Sequence, residues 1–249
     1  MDAIAERKEL HGALPSPRAR IGLIVPSVNR MSEPQFNHFA PEGLAIHVAR
    51  ARITGPWRKP AREMKDEIAR SAAALADSGP DLIVYHCTDS SMREGRAGER
   101  TLVDIVRDAT GIATVATSAL VIEAMRALGI QSVVLLSPYQ SNDVIVRYLA
   151  ENGIAVRHEV ALKLTGHEYV AVTPARWLEL AREHDRADAD GIFLSCTNTT
   201  QIEAIEDIEL ALGKPVVNSN QAVLWGCMRR LADKIGAAAP TPRLGRLMA

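Results

Sequence analysis

Short apolar runs alternate with longer amphipathic stretches along most of the chain. Residues 21–25 (IGLIV) form a continuous apolar run of strand length, the pattern of a strand covered on both faces. The run ends at a Pro26-Ser27-Val28-Asn29 turn. Residues 33–39 predict a short helix and 44–49 a second strand. Residues 52–59 contain Gly55-Pro56 and read as a loop. Pro60 suits a first helical position. Met64, Ile68, Ala72 and Leu75 then recur at helical spacing as far as Ser78-Gly79-Pro80. Residues 82–86 are the third strand, 100–109 a helix closed by Gly111, and 112–115 a short fourth strand.

The same order then starts again. A helix capped by Thr117 or Ser118 runs to Leu128, followed by a strand at 132–136 and a Ser137-Pro138-Tyr139 turn. A helix to Glu151, a strand at 154–160, a loop at 162–172 and a helix from Thr173-Pro174 to about His184 come next. Residues 192–195 are a strand, 201–212 a helix, 215–217 a strand, and 219–235 a long final helix. Equivalent stretches match in kind. IGLIVP at 21–26 pairs with VVLLSP at 133–138, and DLIVYHCT at 81–88 with DGIFLSCT at 190–197. Cys87 and Cys196 stand as far apart as Asp81 and Asp190 do. One unit occurring twice accounts for this.

The expected fold is α/β: two pseudo-symmetric lobes, each a mainly parallel four-stranded sheet flanked by helices, with the active site in the cleft between them. The boundaries are a leader at 1–17, lobes at 18–117 and 118–235, and an extended tail at 236–249. The final helix is free to pack back on the first lobe. Composition adds exclusions. Apolar residues make up 47%, enough for a sizeable core, and the net charge of −1 comes with no dense Lys/Arg run, so nucleic acid is not the expected partner. The apolar runs are too short to span a membrane, and the leader has charges throughout and no signal-peptide core. Three cysteines without CxxC or nearby histidine ligands argue against disulfides and zinc, and fit a reducing cytoplasm.

Chemistry concentrates at the two Cys-Thr turns. Ligands bind beyond the carboxyl ends of parallel strands, so these turns should face each other. A thiol before backbone amides and a helix N-terminus is expected to have a lowered pKa. Thr88, Asp89 and Ser90 follow Cys87, and Thr197 and Asn198 follow Cys196. Such polar turns offer donors to a carboxylate or an enolate. Asn29 and Tyr139, at equivalent turns, suit a second carboxylate. Two thiols flanking one carbon could exchange an α-proton, which is racemisation, or one thiolate could add to an activated double bond. A carboxylate-binding protein without catalysis is the alternative. Cys227, mid-helix and unpaired, reads as core. So do Trp57, Trp177 and Trp225. His86 alternates to the other strand face, and His167 reads as a surface residue.

RIGLIVPSVN, the two Cys-Thr turns, SPY and NSNQAVLW together resemble the aspartate/glutamate racemase superfamily, in its maleate cis-trans isomerase and arylmalonate decarboxylase branch. The likeness covers about residues 18–235. It implies an enzyme without a cofactor, without a metal, acting on a small carboxylate as a homo-oligomer, a dimer or tetramer. It also implies roles: Cys87 adds to the double bond, Cys196 handles the proton, and Asn29 and Tyr139 hold substrate carboxylates. The decarboxylases have glycine at the first cysteine, so a chain with both favours isomerisation or racemisation over decarboxylation. Two features depart from the isomerase pattern. Thr88-Asp89-Ser90 replaces a Thr-Ser-Gly-type turn, and 162–172 lacks the isomerases' asparagine, with His167 or Glu168 near its place. An ionised Asp89 facing inward would repel a substrate carboxylate.

Overall fold

The computed structural model of the protein describes residues 16–236 and 243–249. The expected leader lies outside them as far as residue 15. The first sheet comprises β1 (Ala19–Pro26), β2 (Leu44–Ala51), β3 (Leu82–Tyr85) and β4 (Thr114–Ala116), in the order β2-β1-β3-β4. The second comprises β5 (Ser132–Ser137), β6 (Ala155–Ala161), β7 (Gly191–Leu194) and β8 (Val216–Asn218), in the order β6-β5-β7-β8. Every pairing is parallel. The inner strands β3, β5 and β7 are buried along their whole length, as their continuous apolar runs require. Strand β6, an edge, alternates exposed and half-buried residues.

Helices connect the strands: α1 (Ser32–Phe39), α2 (Lys65–Ala76), α3 (Thr88–Met92), α4 (Gly95–Thr110), α5 (Thr117–Ala127), α6 (Asp143–Glu151), α7 (Pro174–His184), α8 (Ile205–Leu212), α9 (Ser219–Arg230) and α10 (Ala232–Ile235). The repeat extends to helix ends. Gly111 closes α4 and Gly213 closes α8, both at φ of 69° with their N–H groups on Arg107 O and Glu209 O. Only glycine takes that left-handed conformation without strain.

Each sheet has two faces, and one face of each looks into a shared core. Ile21, Leu23 and Val25 of β1 belong to one apolar cluster with Val134 and Leu136 of β5 and Ile192 and Leu194 of β7. Val223, Leu224 and Cys227 of α9 and Leu231 and Ile235 beyond it belong to that same cluster. Val121 and Met125 of α5 lie in the outer core of the second sheet with Val133 and Phe193.

Three boundaries differ from the periodicity. Helix α4 begins at Gly95 although two glycines open it, because Leu102, Ile105 and Val106 bury its inner face, outweighing a glycine cost of about 1 kcal/mol. The long final helix breaks at Leu231. The end of the tail is not extended but packed. Leu244, Leu247 and Met248 are buried, Gln221 Nε2 donates to Leu244 O at 2.6 Å, and Arg246 N donates to Glu209 Oε2 at 2.8 Å.

Candidate active site

Both cysteines sit just past the carboxyl ends of the inner strands β3 and β7, and both line one cavity of about 310 Å³. Cys87 is 5% exposed and Cys196 4%. Asn29, Asp89, Tyr139, Thr197 and Asn198 share that lining. Thr88 and Ser90 do not. The Thr88 hydroxyl donates to Ser219 Oγ at 2.9 Å, and Ser90 Oγ lies 3.1 Å from the Tyr85 hydroxyl. Of the nine expected site residues, these two stand behind the wall.

The two turns are tied together. Ser219 Oγ, at the start of α9, also accepts the Cys196 backbone N–H at 3.3 Å, so one hydroxyl links both cysteine turns. Asn29 Oδ1 accepts Ser32 N at 2.9 Å, holding the entry to α1, while its Nδ2 donates to Thr197 Oγ1 at 3.2 Å across the two halves. His86 is fully buried behind the cavity. Its Nε2 lies 3.0 Å from both Asn220 Oδ1 and Ser32 Oγ, and its Nδ1 lies 3.0 Å from Thr117 Oγ1. Asn220 Nδ2 donates to Gln35 Oε1, which leaves Oδ1 as an acceptor and assigns the imidazole proton to Nε2. Burial pushes the His86 pKa down to about 3, so the ring is a neutral pin between the halves.

The thiols are not activated as their strand-end position predicts. Burial pushes Cys87 up to about 11, with Asp89 adding to the rise and Ser90 hydrogen bonds and Arg58 opposing it. Burial likewise pushes Cys196 up to about 12, against the Asn198 N–H, which donates to its sulfur at 3.3 Å, and the Tyr139 hydroxyl. Desolvation outweighs the amide dipoles, which favours the neutral form of both thiols. Tyr139 is itself raised, first by burial and then by Cys196.

Asp89 does face the cavity, but it is not a bare negative charge. Arg93 Nη2 lies 2.5 and 2.6 Å from its two oxygens, and Arg58 Nη2 lies 3.2 Å from Oδ2. Arg58 also lines the cavity. It comes from the connection after β2, whose Gly55–Trp57 turn puts Trp57 in the cavity lining, with the Arg52 guanidinium 5.3 Å from the indole. Trp57 is therefore a pocket residue and 40% exposed, whereas Trp177 and Cys227 are core. The equivalent connection after β6 supplies His167 and Tyr169, and Tyr169 packs edge-on against Tyr139. Arg30 Nη2 holds the His167 carbonyl at 2.7 Å, closing this segment over the first half. His167 is exposed, as expected, yet forms part of the rim. Arg58, Trp57 and Tyr169 do not figure among the site residues the sequence suggests. The available signal was their position: each follows the carboxyl end of a parallel strand. Among the described residues no cluster of histidine, cysteine and carboxylates could hold a metal ion. No described helix is long and apolar enough to cross a membrane.

Two four-stranded parallel sheets flanked by helices are the fold of the maleate isomerase and arylmalonate decarboxylase branch of the aspartate/glutamate racemase superfamily. The chain belongs to the arylmalonate decarboxylase family, whose model matches residues 21–245. It is 33% identical to an arylmalonate decarboxylase from Bordetella bronchiseptica over 187 residues, 73% of this chain and 77% of that one. It is 28% identical to a maleate isomerase from Pseudomonas putida over 228 residues, covering 85% and 91%. Among solved structures, a maleate cis-trans isomerase variant from Nocardia farcinica, with a covalently bound succinylcysteine intermediate, shares the fold. Its TM-score is 0.77 at 23% identity, covering 92% of this chain and 98% of that one.

Proposed function

We propose that the protein is a cis-trans isomerase of a small unsaturated dicarboxylate of the maleate type, working through a covalent adduct on Cys87. The observation that carries the reading is the pair of buried thiols on one small cavity. In the working form one thiol has lost its proton. Cys87 Sγ bonds to one alkene carbon, the π electrons pass into the neighbouring carboxylate as an enediolate, and Cys196 gives its proton to the adjacent carbon. The former double bond is now single and rotates. Cys196 takes the proton back, the C–S bond breaks, and the trans isomer leaves with Cys87 again a thiolate. No outside oxidant or cofactor enters the balance. The succinylcysteine of the Nocardia enzyme supports the adduct, and the Pseudomonas relative supports the substrate class. Asn29, Tyr139, Thr197 and Asn198 are assigned to holding substrate. Thr88 and Ser90 support their turn from behind. The reading keeps a cytoplasmic homo-oligomer.

A second reading, a decarboxylase or racemase of an α-substituted malonate or carboxylate, is favoured by the 33% identical decarboxylase. It is opposed by the cysteine at 87, where the decarboxylases of the family carry glycine. The test is direct. Wild type should interconvert maleate and fumarate and gain the mass of one substrate on Cys87, and Cys87→Ala should lose both, with turnover down about a thousandfold or more. Wild-type rates in Cys87→Ala would end this reading. Carbon dioxide release from an aryl malonate, or deuterium entering the α-carbon of a saturated α-substituted acid in heavy water, would establish the second.

A further inference from the structure

We infer that Arg58 is the residue that takes the second carboxylate of the substrate, with Asp89 as the counter-ion that holds it in place. The inference rests on the small-dicarboxylate reading above and identifies the subsite that makes the site select for two carboxylates.

Three charged side chains meet at the Cys87 end of the cavity. Asp89 carries one negative charge, and Arg93 and Arg58 carry one positive charge each. The corner is therefore net positive, although its inward acidic residue would by itself repel a carboxylate. The two arginines are not equivalent. Arg93 reaches both Asp89 oxygens and does not line the cavity, so it is the structural partner. Arg58 touches Asp89 with one nitrogen at a looser 3.2 Å, lines the cavity, and keeps a side chain 42% exposed. A guanidinium has five N–H donors in a planar fork. Asp89 pairs with one nitrogen of that fork as an ion pair, and no other charged partner of Arg58 occurs among the described residues. Arg58 lines the cavity with donors left over, and a carboxylate is the group that fits such a fork.

Position assigns the rest. The Cys196 turn, with Thr197 and Asn198, lines the same cavity and carries no charge. Among the described residues lining the cavity, Arg58 is the one permanent cation. A substrate with one carboxylate at the neutral turn and a double bond above Cys87 would direct its second carboxylate toward the arginine. Asp89 keeps the long Arg58 side chain from swinging out to solvent, which lowers the entropy lost when it binds an anion. This role also explains why an aspartate is tolerated in an anion site.

The experiment measures binding by calorimetry to wild type, Arg58→Met and Arg58→Lys, with two unreactive ligands, succinate and butyrate. Isomerisation of maleate by wild type is assayed in parallel. Wild type should prefer succinate, and Arg58→Met should lose about tenfold to a hundredfold in succinate affinity while butyrate affinity changes little. Arg58→Lys should recover part of the preference, since it restores the charge but not the fork. A structural role for Arg58 would weaken both ligands alike and would overturn the inference. So would unchanged succinate affinity in Arg58→Met, or tighter binding of aspartate than of succinate that disappears in Asp89→Asn. The two claims separate cleanly. Succinate selectivity through Arg58 without maleate turnover would keep the subsite and remove the isomerase, and turnover with an indifferent Arg58→Met would do the reverse.

Discussion

The Cys87 turn and the Cys196 turn begin as copies and end as opposites. Each follows an inner strand, each places its thiol on the same cavity, and both hang on Ser219. Beyond the cysteine they diverge. The first turn passes at once into α3 and puts Asp89 between two arginines. The second runs on as neutral loop to residue 201, with the Asn198 N–H on its own sulfur. The residues just before the cysteines differ as well. His86 is bound on three sides, whereas the Ser195 hydroxyl is buried without a partner among the described residues. The repeat preserves where the backbone goes and leaves the electrostatics free. A twofold scaffold can therefore give its two thiols different work.

The largest expected effect tests that division. Cys196→Ser should reduce turnover by about a hundredfold or more, the usual worth of a general acid and base. It should still form the covalent adduct on Cys87, which ought to accumulate once solvent has protonated the adjacent carbon, because that proton is no longer withdrawn efficiently. Intact-protein mass and peptide mapping would read both points. An adduct mapped to Cys196 in a Cys87→Ser protein, together with none on Cys87 in Cys196→Ser, would reverse the roles and break the comparison.

The pH profile gives a smaller but sharper test. Both thiols are raised by burial, Cys87 to about 11 and Cys196 to about 12, so near neutral pH the reactive thiolate is scarce. Below its pKa a thiolate gains roughly tenfold per pH unit. The kcat/KM for isomerisation should therefore climb from pH 7 to 9 and beyond, with Cys196 still protonated as the acid. A flat profile across that window would mean that a thiolate is already present at rest. Stability runs the other way. The folded pKa values lie above the ordinary thiol value of 9.0, so this contribution is full below pH 9 and is lost as pH rises toward 11–12. Denaturant midpoints measured at pH 8 and pH 10.5 should show the loss.

Much of this molecule was legible in its sequence. Continuous apolar runs announced buried parallel strands, and the matched Cys-Thr turns announced two thiols at one place. The features that escaped have physical reasons. The thiol pKa values depend on how deeply the turns are desolvated, which no local pattern encodes. Thr88 and Ser90 look like ligand donors in sequence, yet the start of α3 turns their hydroxyls toward Ser219 and Tyr85. Arg58 and Trp57 sat in a segment whose Gly55-Pro56 signal says only that the chain turns. What brings them to the cavity is the parallel pairing of β2 beside β1. His86 looked ambiguous because its partners Ser32, Thr117 and Asn220 come from three distant segments.

The smallest effect concerns the other end of the same strands, where the copies stay copies. Asp81 Oδ2 accepts the Arg20 N–H at 2.7 Å, and Asp190 Oδ2 accepts Gln131 N at 3.0 Å and Ser132 N at 2.8 Å. Each aspartate ties the start of one inner strand to the start of its neighbour. Burial pushes the Asp81 carboxyl up, but the Lys234 ammonium and the Arg20 amide outweigh it and hold the pKa below the usual value. The Ser132 hydroxyl and the Gln131 amide lower that of Asp190. Both folded pKa values are depressed, so this stabilisation is present above about pH 4 and is lost as pH falls through the folded values. Asp81→Ala and Asp190→Ala should each cost about 1 kcal/mol in urea unfolding at pH 7, with solvent screening keeping the exposed Asp190 at or below that figure. Neither should alter turnover, because both act at the amino ends of strands whose carboxyl ends carry the thiols. A loss of activity without a loss of stability in either variant would mean that the amino-terminal echo also serves the site, and the separation between the scaffold end and the chemical end of the repeat would fail.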